Sequence, residues 1–142
     1  MSGFLLDTNI PSELIRTASD PRVENWVYSR DERTLYLSVI SLGELRRGFA
    51  VLPASKRRTE LERWFENDLL PRFHERILPV TRSIAERWGV LDGRCRLRGT
   101  PLSVADGMIA ATALEHNLTL VTRNSRDFAD LGVELLNPWD YA

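Results

Sequence analysis

Short apolar runs with β character alternate along the chain with longer stretches of helical periodicity. The runs are Phe4 to Leu6, Leu35 to Leu37, Ile77 to Val80, Thr119 to Val121 and Glu134 to Leu136. Helical patterns fill the gaps at about 11–16, 22–29, 41–52, 56–69, 82–97 and 103–116. Two of these are sharply marked: Leu61, Trp64, Phe65 and Leu69 recur at helical spacing, as do Ile84, Trp88 and Leu91. Strands separated by helices predict an α/β architecture with a largely parallel sheet. Pro21, Pro71, Pro79 and Pro101 fall where helices are expected to start or stop. No repeat, low-complexity tract or linker interrupts the 142 residues, so a single domain over 1–142 is expected.

Composition narrows the class. Hydrophobic residues at 43% and charged residues at 27% are ordinary for a globular protein. No apolar run approaches the roughly 18 residues that cross a membrane. The opening Met-Ser-Gly-Phe-Leu-Leu-Asp lacks a basic segment and meets an acid at once, which is unlike a signal peptide. The lone Cys95 excludes an internal disulfide and argues against a thiolate zinc site, so a reducing cytoplasm is the expected setting. The net charge of −1 gives no overall attraction for nucleic acid. All but one of the 19 basic residues are arginine, Lys56 being the exception. That bias fits either genomic base composition or guanidinium forks that grip phosphate.

The candidate chemistry lies in carboxylates. Asp7 directly follows the first apolar run, so it stands at the C-terminal end of a buried strand. In open parallel sheets this edge is where ligands bind. Asn124 holds the matching place after the fourth run. Glu44 is expected in the first turn of the helix after the second strand. Asp106 is expected in the first turn of the helix before the fourth strand. Both helices begin at the same edge, so topology alone brings four polar positions to one rim. Ser41-x-x-Glu44 and Ser103-x-x-Asp106 also read as N-terminal capping boxes, as do Thr59-x-x-Glu62 and Ser83-x-x-Glu86. Asp7 has no such explanation. Three carboxylates on one rim repel one another unless a cation lies between them. A hard cation such as Mg²⁺ takes oxygen ligands and keeps waters that a phosphate can displace. Gly107, Ala110 and Ala111 beside Asp106 suit either close substrate approach or helix packing.

These segments together resemble the PIN-domain ribonucleases, specifically the VapC-type toxins of bacterial toxin–antitoxin modules. The matching pieces are Leu6-Asp7-Thr8-Asn9, Ser41-Leu42-Gly43-Glu44-Leu45-Arg46-Arg47-Gly48, Ala105-Asp106-Gly107-Met108-Ile109-Ala110-Ala111-Thr112-Ala113 and Thr122-Arg123-Asn124. The closing Leu136-Asn137-Pro138-Trp139 is similar to the FitB-like branch. The resemblance spans nearly the whole chain in the right order. It implies a three-layer α/β/α PIN-like fold with a five-stranded parallel sheet, and Mg²⁺- or Mn²⁺-dependent RNA cleavage. It also implies a homodimer, an antitoxin of the VapB or FitA kind, and DNA contact only through the antitoxin complex.

By position, Asp7, Glu44 and Asp106 match the metal-binding acids. Many relatives carry a fourth acid where this chain has Asn124, so either Asn124 or Asp127 takes that place. Thr8, Asn9 and Thr122 are candidates to orient the acids or a water. Arg46, Arg47, Arg82, Arg123 and Arg126 are candidates to hold flanking phosphates.

Other chemistries find less support. A haloacid-dehalogenase phosphatase needs a second acid where Asn9 stands, and both it and a receiver domain need a late lysine. His74 and His116 have no partner pattern, and His116 is expected to sit at a helix C-terminus. No Gly-x-Ser-x-Gly surrounds Ser12, Ser38 or Ser41. Flap or DNA nucleases of related fold need helical additions for which the chain has no room. The main alternative is a catalytically weak PIN-fold module that holds a basic partner segment in its acidic groove. Trp26, Trp64, Trp88 and Trp139 are expected to pack, and Cys95 to be passive.

Overall fold

The computed structural model describes residues 2–141. Five strands, β1 (Phe4–Leu6), β2 (Leu35–Ser38), β3 (Ile77–Leu78), β4 (Thr119–Val121) and β5 (Leu135–Leu136), form one sheet in the order β3-β2-β1-β4-β5. Every pairing is parallel. The chain therefore winds outward from β1 to β3, then returns to the other side of β1 for β4 and β5. The winding reverses between β1 and β4, and in a doubly wound sheet a crevice opens at that point.

Successive residues of each strand face opposite layers. Leu6, Leu35, Leu37 and Val121 join a core with helices α1 (Asn9–Leu14), α2 (Pro21–Tyr28), α3 (Val39–Ala50) and α4 (Lys56–Trp64). Leu5 and Leu120 join a second core with α6 (Arg82–Leu97) and α7 (Val104–His116). The result is the expected α/β/α sandwich. Both faces of the sheet are covered, which is why its strands read as continuous apolar runs rather than alternating ones. No helix among the described residues is long and apolar enough to cross a membrane.

Element boundaries differ from expectation in ways that have physical causes. The helix expected from residue 41 starts two residues earlier, because Ser38 is its N-cap and accepts from the Ile40 N–H. Glu44 therefore lies in the second turn, and Ser41-x-x-Glu44 is not a capping box. The other lookalikes fail for the same reason, since Ser55 and Thr81 cap α4 and α6. Only Ser103 caps as its motif suggests, accepting from the Asp106 N–H at 3.1 Å.

Pro71 is not a stop. It lies within the short α5 (Leu70–Arg72), directly after a π-helical segment at Phe65–Leu69. A proline in a regular helix clashes with the carbonyl four residues back, and the wider π turn ahead of Pro71 loosens that spacing. The strand expected at 77–80 pairs only at Ile77 and Leu78. Helix α7 ends at Asn117, whose left-handed backbone (φ 53°) turns the chain into β4, with His116 in the last turn as expected.

The small residues beside Asp106 serve packing. A Cβ on Gly107 would stand 2.6–2.7 Å from the indole of Trp88, so α6 and α7 approach closely only because that Cβ is missing. This contact sets the depth of α7, and with it the position of Asp106. Gly107→Ala should cost about 1–3 kcal/mol of stability through overpacking. Gly93→Ala, in the same hairpin with open space around it, should stabilise by up to about 1 kcal/mol. Urea denaturation of the two variants checks both signs.

Candidate active site

Asp7 is held where β1 ends. Its backbone N–H donates to the Val121 carbonyl at 2.9 Å, carrying the β1–β4 ladder one residue past the strand. The side chain then sits at the reversal of winding, 4% exposed. Its Oδ2 accepts from the Thr122 hydroxyl at 2.7 Å and from Asn9 Nδ2 at 3.3 Å. Its Oδ1 accepts from the Thr8 N–H at 2.8 Å. Burial pushes the Asp7 carboxyl up to about 6, despite the lowering effect of the Thr122 and Thr8 bonds. The negative charges of Asp106 and Glu44 push it in the same upward direction.

Glu44 comes to the site from α3, one turn after the buried Ser41. The Thr8 hydroxyl donates to Glu44 Oε1 at 2.6 Å and lies 2.8 Å from Ser41 Oγ. Thr8 thus ties two acids together, its N–H on Asp7 and its hydroxyl on Glu44. Asp106 enters from the first turn of α7, and burial raises its carboxyl above the usual carboxylate range, with Glu44 and Asp127 adding to the rise. The structure therefore brings Asp7, Glu44, Asp106 and Asp127 into one electrostatic neighbourhood. Asp106 and Asp127 also line a crevice of about 430 Å³ with Ser103 and Arg126.

The polar neighbours from the last strand divide. Thr122 is a hub: it donates to Asp7 and accepts from the Asn124 N–H at 3.0 Å. Asn9 links across it, its Oδ1 accepting from the Arg123 N–H at 3.3 Å. Asn124 has an exposed side chain and engages through its backbone, opening the 3-10 turn Ser125–Phe128 that carries Asp127.

The candidate arginines differ in their engagement. Arg46 pairs with Glu66 and lies over Phe65, 4.2 Å from the ring centre. Arg47 reaches Glu44 at 3.7 Å, and Arg82 pairs with Glu86 at 2.9 Å. Arg123 stacks over the buried Trp139 at 5.0 Å. Arg126 makes no ion pair or side-chain hydrogen bond among the described residues.

Ser41 was missed as a site residue. Its sequence signal was a position one helical turn before Glu44, which reads equally well as a cap.

The donor set suits a hard cation. Among the described residues Asp7 and Asp106 have no cationic partner, and no three acid, histidine or cysteine groups close around a single point. Such an open set of carboxylates fits Mg²⁺, which keeps several waters and needs only one or two protein carboxylates.

A doubly wound, fully parallel α/β sheet with carboxylates at its reversal defines an α/β class with its candidate site at that reversal, and the comparisons place the chain in one family of it. The PIN domain family matches residues 4–134. The chain is 38% identical over 139 residues to "VapC ribonuclease Y4jK" of Sinorhizobium fredii, covering 98% of this chain and 99% of that protein. It is 38% identical over 136 residues to "Toxin FitB" of Neisseria gonorrhoeae, covering 96% and 98% respectively. The solved structure of FitAB bound to an IR36 DNA fragment superposes with a TM-score of 0.90 at 36% identity, covering 98% of this chain and 97% of that one. The chain belongs to the PIN-domain family, alongside proteins named as VapC ribonucleases and FitB toxins.

The raised Asp7 has a consequence for folding. The native protein keeps this proton up to about pH 6, whereas the unfolded chain releases it near 3.8. Between those values the native state binds more protons, so stability falls as pH rises through the window. At pH 7 the buried charge costs about 3 kcal/mol when no metal is bound. In chelator, the urea midpoint should therefore drop between pH 4 and pH 6.5. Asp7→Asn should flatten that slope, and a midpoint that instead rises over this range would show that Asp7 is not held protonated.

Proposed function

We propose that the chain is a metal-dependent endoribonuclease and the toxin half of a type II toxin–antitoxin pair. The observation that carries this reading is Asp7, a buried carboxylate set at the sheet reversal against Asp106 and Glu44, with no cation beside it among the described residues. A fold has no stabilising reason to bury such a group unless something it binds supplies the charge. The names of the relatives, "VapC ribonuclease" and "Toxin FitB", point the same way.

Asp7, Asp106 and Glu44 would hold Mg²⁺, or Mn²⁺ in its place, and Asp127 is the fourth acid in preference to Asn124. Asp127 faces Asp106 closely enough to raise its carboxyl, while the Asn124 side chain has no partner in the site. When bound, the ion supplies Lewis acidity, acidifying a water and offsetting charge on the phosphate oxygens. Thr122 and the Thr8 N–H hold the two Asp7 oxygens in fixed directions, so the carboxylate meets its ligand without reorganising. The Thr8 hydroxyl does the same for Glu44. Ser103 anchors the turn from which Asp106 projects. Water oxygen attacks phosphorus, the bond to the 3′ oxygen breaks, and the 3′ oxygen leaves with a proton. The products carry 5′-phosphate and 3′-hydroxyl ends, and no covalent bond to the protein forms.

FitAB, the relative solved on DNA, supports an antitoxin partner of the FitA or VapB kind, with DNA reached through that complex. A homodimer is the assembly that the family resemblance implies.

Purified protein free of antitoxin should cut structured RNA in Mg²⁺ or Mn²⁺ and stop in chelator. Asp7→Asn and Asp106→Asn should each lower the rate by roughly 100-fold or more, the scale of losing a group that acts in the transition state. Thr122→Val should lower it by about 10–100-fold, as for loss of a residue that orients a metal ligand. Cutting that survives Asp7→Asn would remove the assignment. Asp127→Asn should raise the Mg²⁺ concentration needed for half-maximal rate, and Asn124→Ala should not. The reverse pattern would return the fourth position to Asn124.

A further inference from the structure

The crevice that holds Asp106 and Asp127 does not end there. A second crevice, of about 480 Å³, shares Thr100, Arg126 and Asp127 with it and continues past Arg98 toward Asp130 and Leu131. Together they form a groove leading from the acid cluster across the α6–α7 connection. Arg98 and Arg126 line it, and neither guanidinium makes an ion pair or hydrogen bond among the described residues. Asp127 and Asp130 share the groove without reaching ion-pair distance of either.

The wall carrying Arg98 is built firmly. Arg98 is the C-cap of α6, and Gly99 follows with a left-handed backbone (φ 73°). The Thr100 N–H then donates back to the Cys95 carbonyl at 2.9 Å and the Gly99 N–H to Arg96 at 3.1 Å, closing the helix end. Arg98 and Thr100 are thus presented by a fixed turn rather than a loose loop.

Resting on the ribonuclease reading above, we propose that this groove is the path of the single-stranded RNA on one side of the scissile phosphate, and that Arg98 and Arg126 grip its phosphates. An unpaired planar fork is the group suited to bidentate phosphate contact. Of the other candidate arginines, Arg46, Arg47 and Arg82 already pair with Glu66, Glu44 and Glu86, and Arg123 lies over Trp139 rather than lining this groove. These contacts position the strand without reading its sequence. Arg98 and Arg126 are positioning residues, and the acids remain the reacting centre.

The test separates strand binding from cleavage. Binding of a fluorescein-labelled 20-nucleotide single-stranded RNA is followed by anisotropy in Ca²⁺, with the RNA checked intact by gel afterwards. Arg98→Ala and Arg126→Ala should each weaken binding several-fold at low salt. Each should also reduce the slope of log affinity against log salt by about 0.7, the value for one lost contact to single-stranded nucleic acid. Arg33→Ala, on a remote surface, should change neither. In Mg²⁺ the same two variants should raise KM for long RNA with kcat nearly unchanged, and should leave cleavage of a tetranucleotide unaffected.

Unchanged salt slopes, or equal losses on long and short substrates, would overturn the path. So would weakened capture of an acidic peptide without any loss of RNA binding, which would make the groove a protein-docking surface. If wild-type protein binds RNA with the expected arginine dependence but never cuts it, the path stands and the nuclease reading falls.

Discussion

Everything at this site depends on one electrostatic constraint, a carboxylate buried at the end of the central strand. Asp7 cannot leave, because its own N–H is tied to Val121 in the sheet ladder and both its oxygens are tied to Thr8, Asn9 and Thr122. It cannot ionise cheaply either, because burial and two nearby acids oppose the charge. The buried charge is left without a compensating cation among the described residues, so the site carries an unbalanced electrostatic cost.

The surrounding fold reads as a set of devices for delivering other groups to that point. Parallel strands place β1 and β4 side by side with their C-terminal ends together, so Asp7 and Thr122 meet although 115 residues separate them. Helix α3 begins at Val39, capped by Ser38, and the extra half-turn brings Glu44 into reach of the Thr8 hydroxyl. Helix α7 seats against α6 through the bare backbone of Gly107 on Trp88, which fixes how deep Asp106 lies. Side chains that look generic in isolation, a glycine, a tryptophan and two serines, set the geometry of the acids.

The arginines show how engagement sorts residues that composition treats alike. Most of the guanidinium groups spend their forks on neighbouring carboxylates or aromatic rings. The Arg72 and Arg76 pair with Glu32, for example, fastens the segment before β3 to the turn before β2. Among the described residues, Arg98 and Arg126 keep unpaired forks on a groove continuous with Asp106 and Asp127. The net charge of −1 says little about any one surface, because charge acts locally and these two groups lie on one groove.

Much of this was legible in the chain itself. Apolar runs of three to four residues between helical patterns were enough for a parallel sheet with both faces covered, since only such a sheet leaves strands apolar on both sides. The position of Asp7 followed from the same pattern, as did the Ser103 cap. Boundaries and partners were not legible. Four serine or threonine motifs looked alike as caps, and only one is a cap. Which residue starts a helix depends on where the preceding strand stops, and pairing with β1 and β3 decides that for β2. Pro71 read as a helix boundary and does lie in the first turn of α5, but the π turn that joins α5 to the helix before it leaves no local signature. Whether an arginine is free or an acid is raised depends on groups dozens of residues away. Local periodicity, set by backbone geometry, was written in the sequence. Contact across elements, set by how layers pack, was decided only when the chain folded.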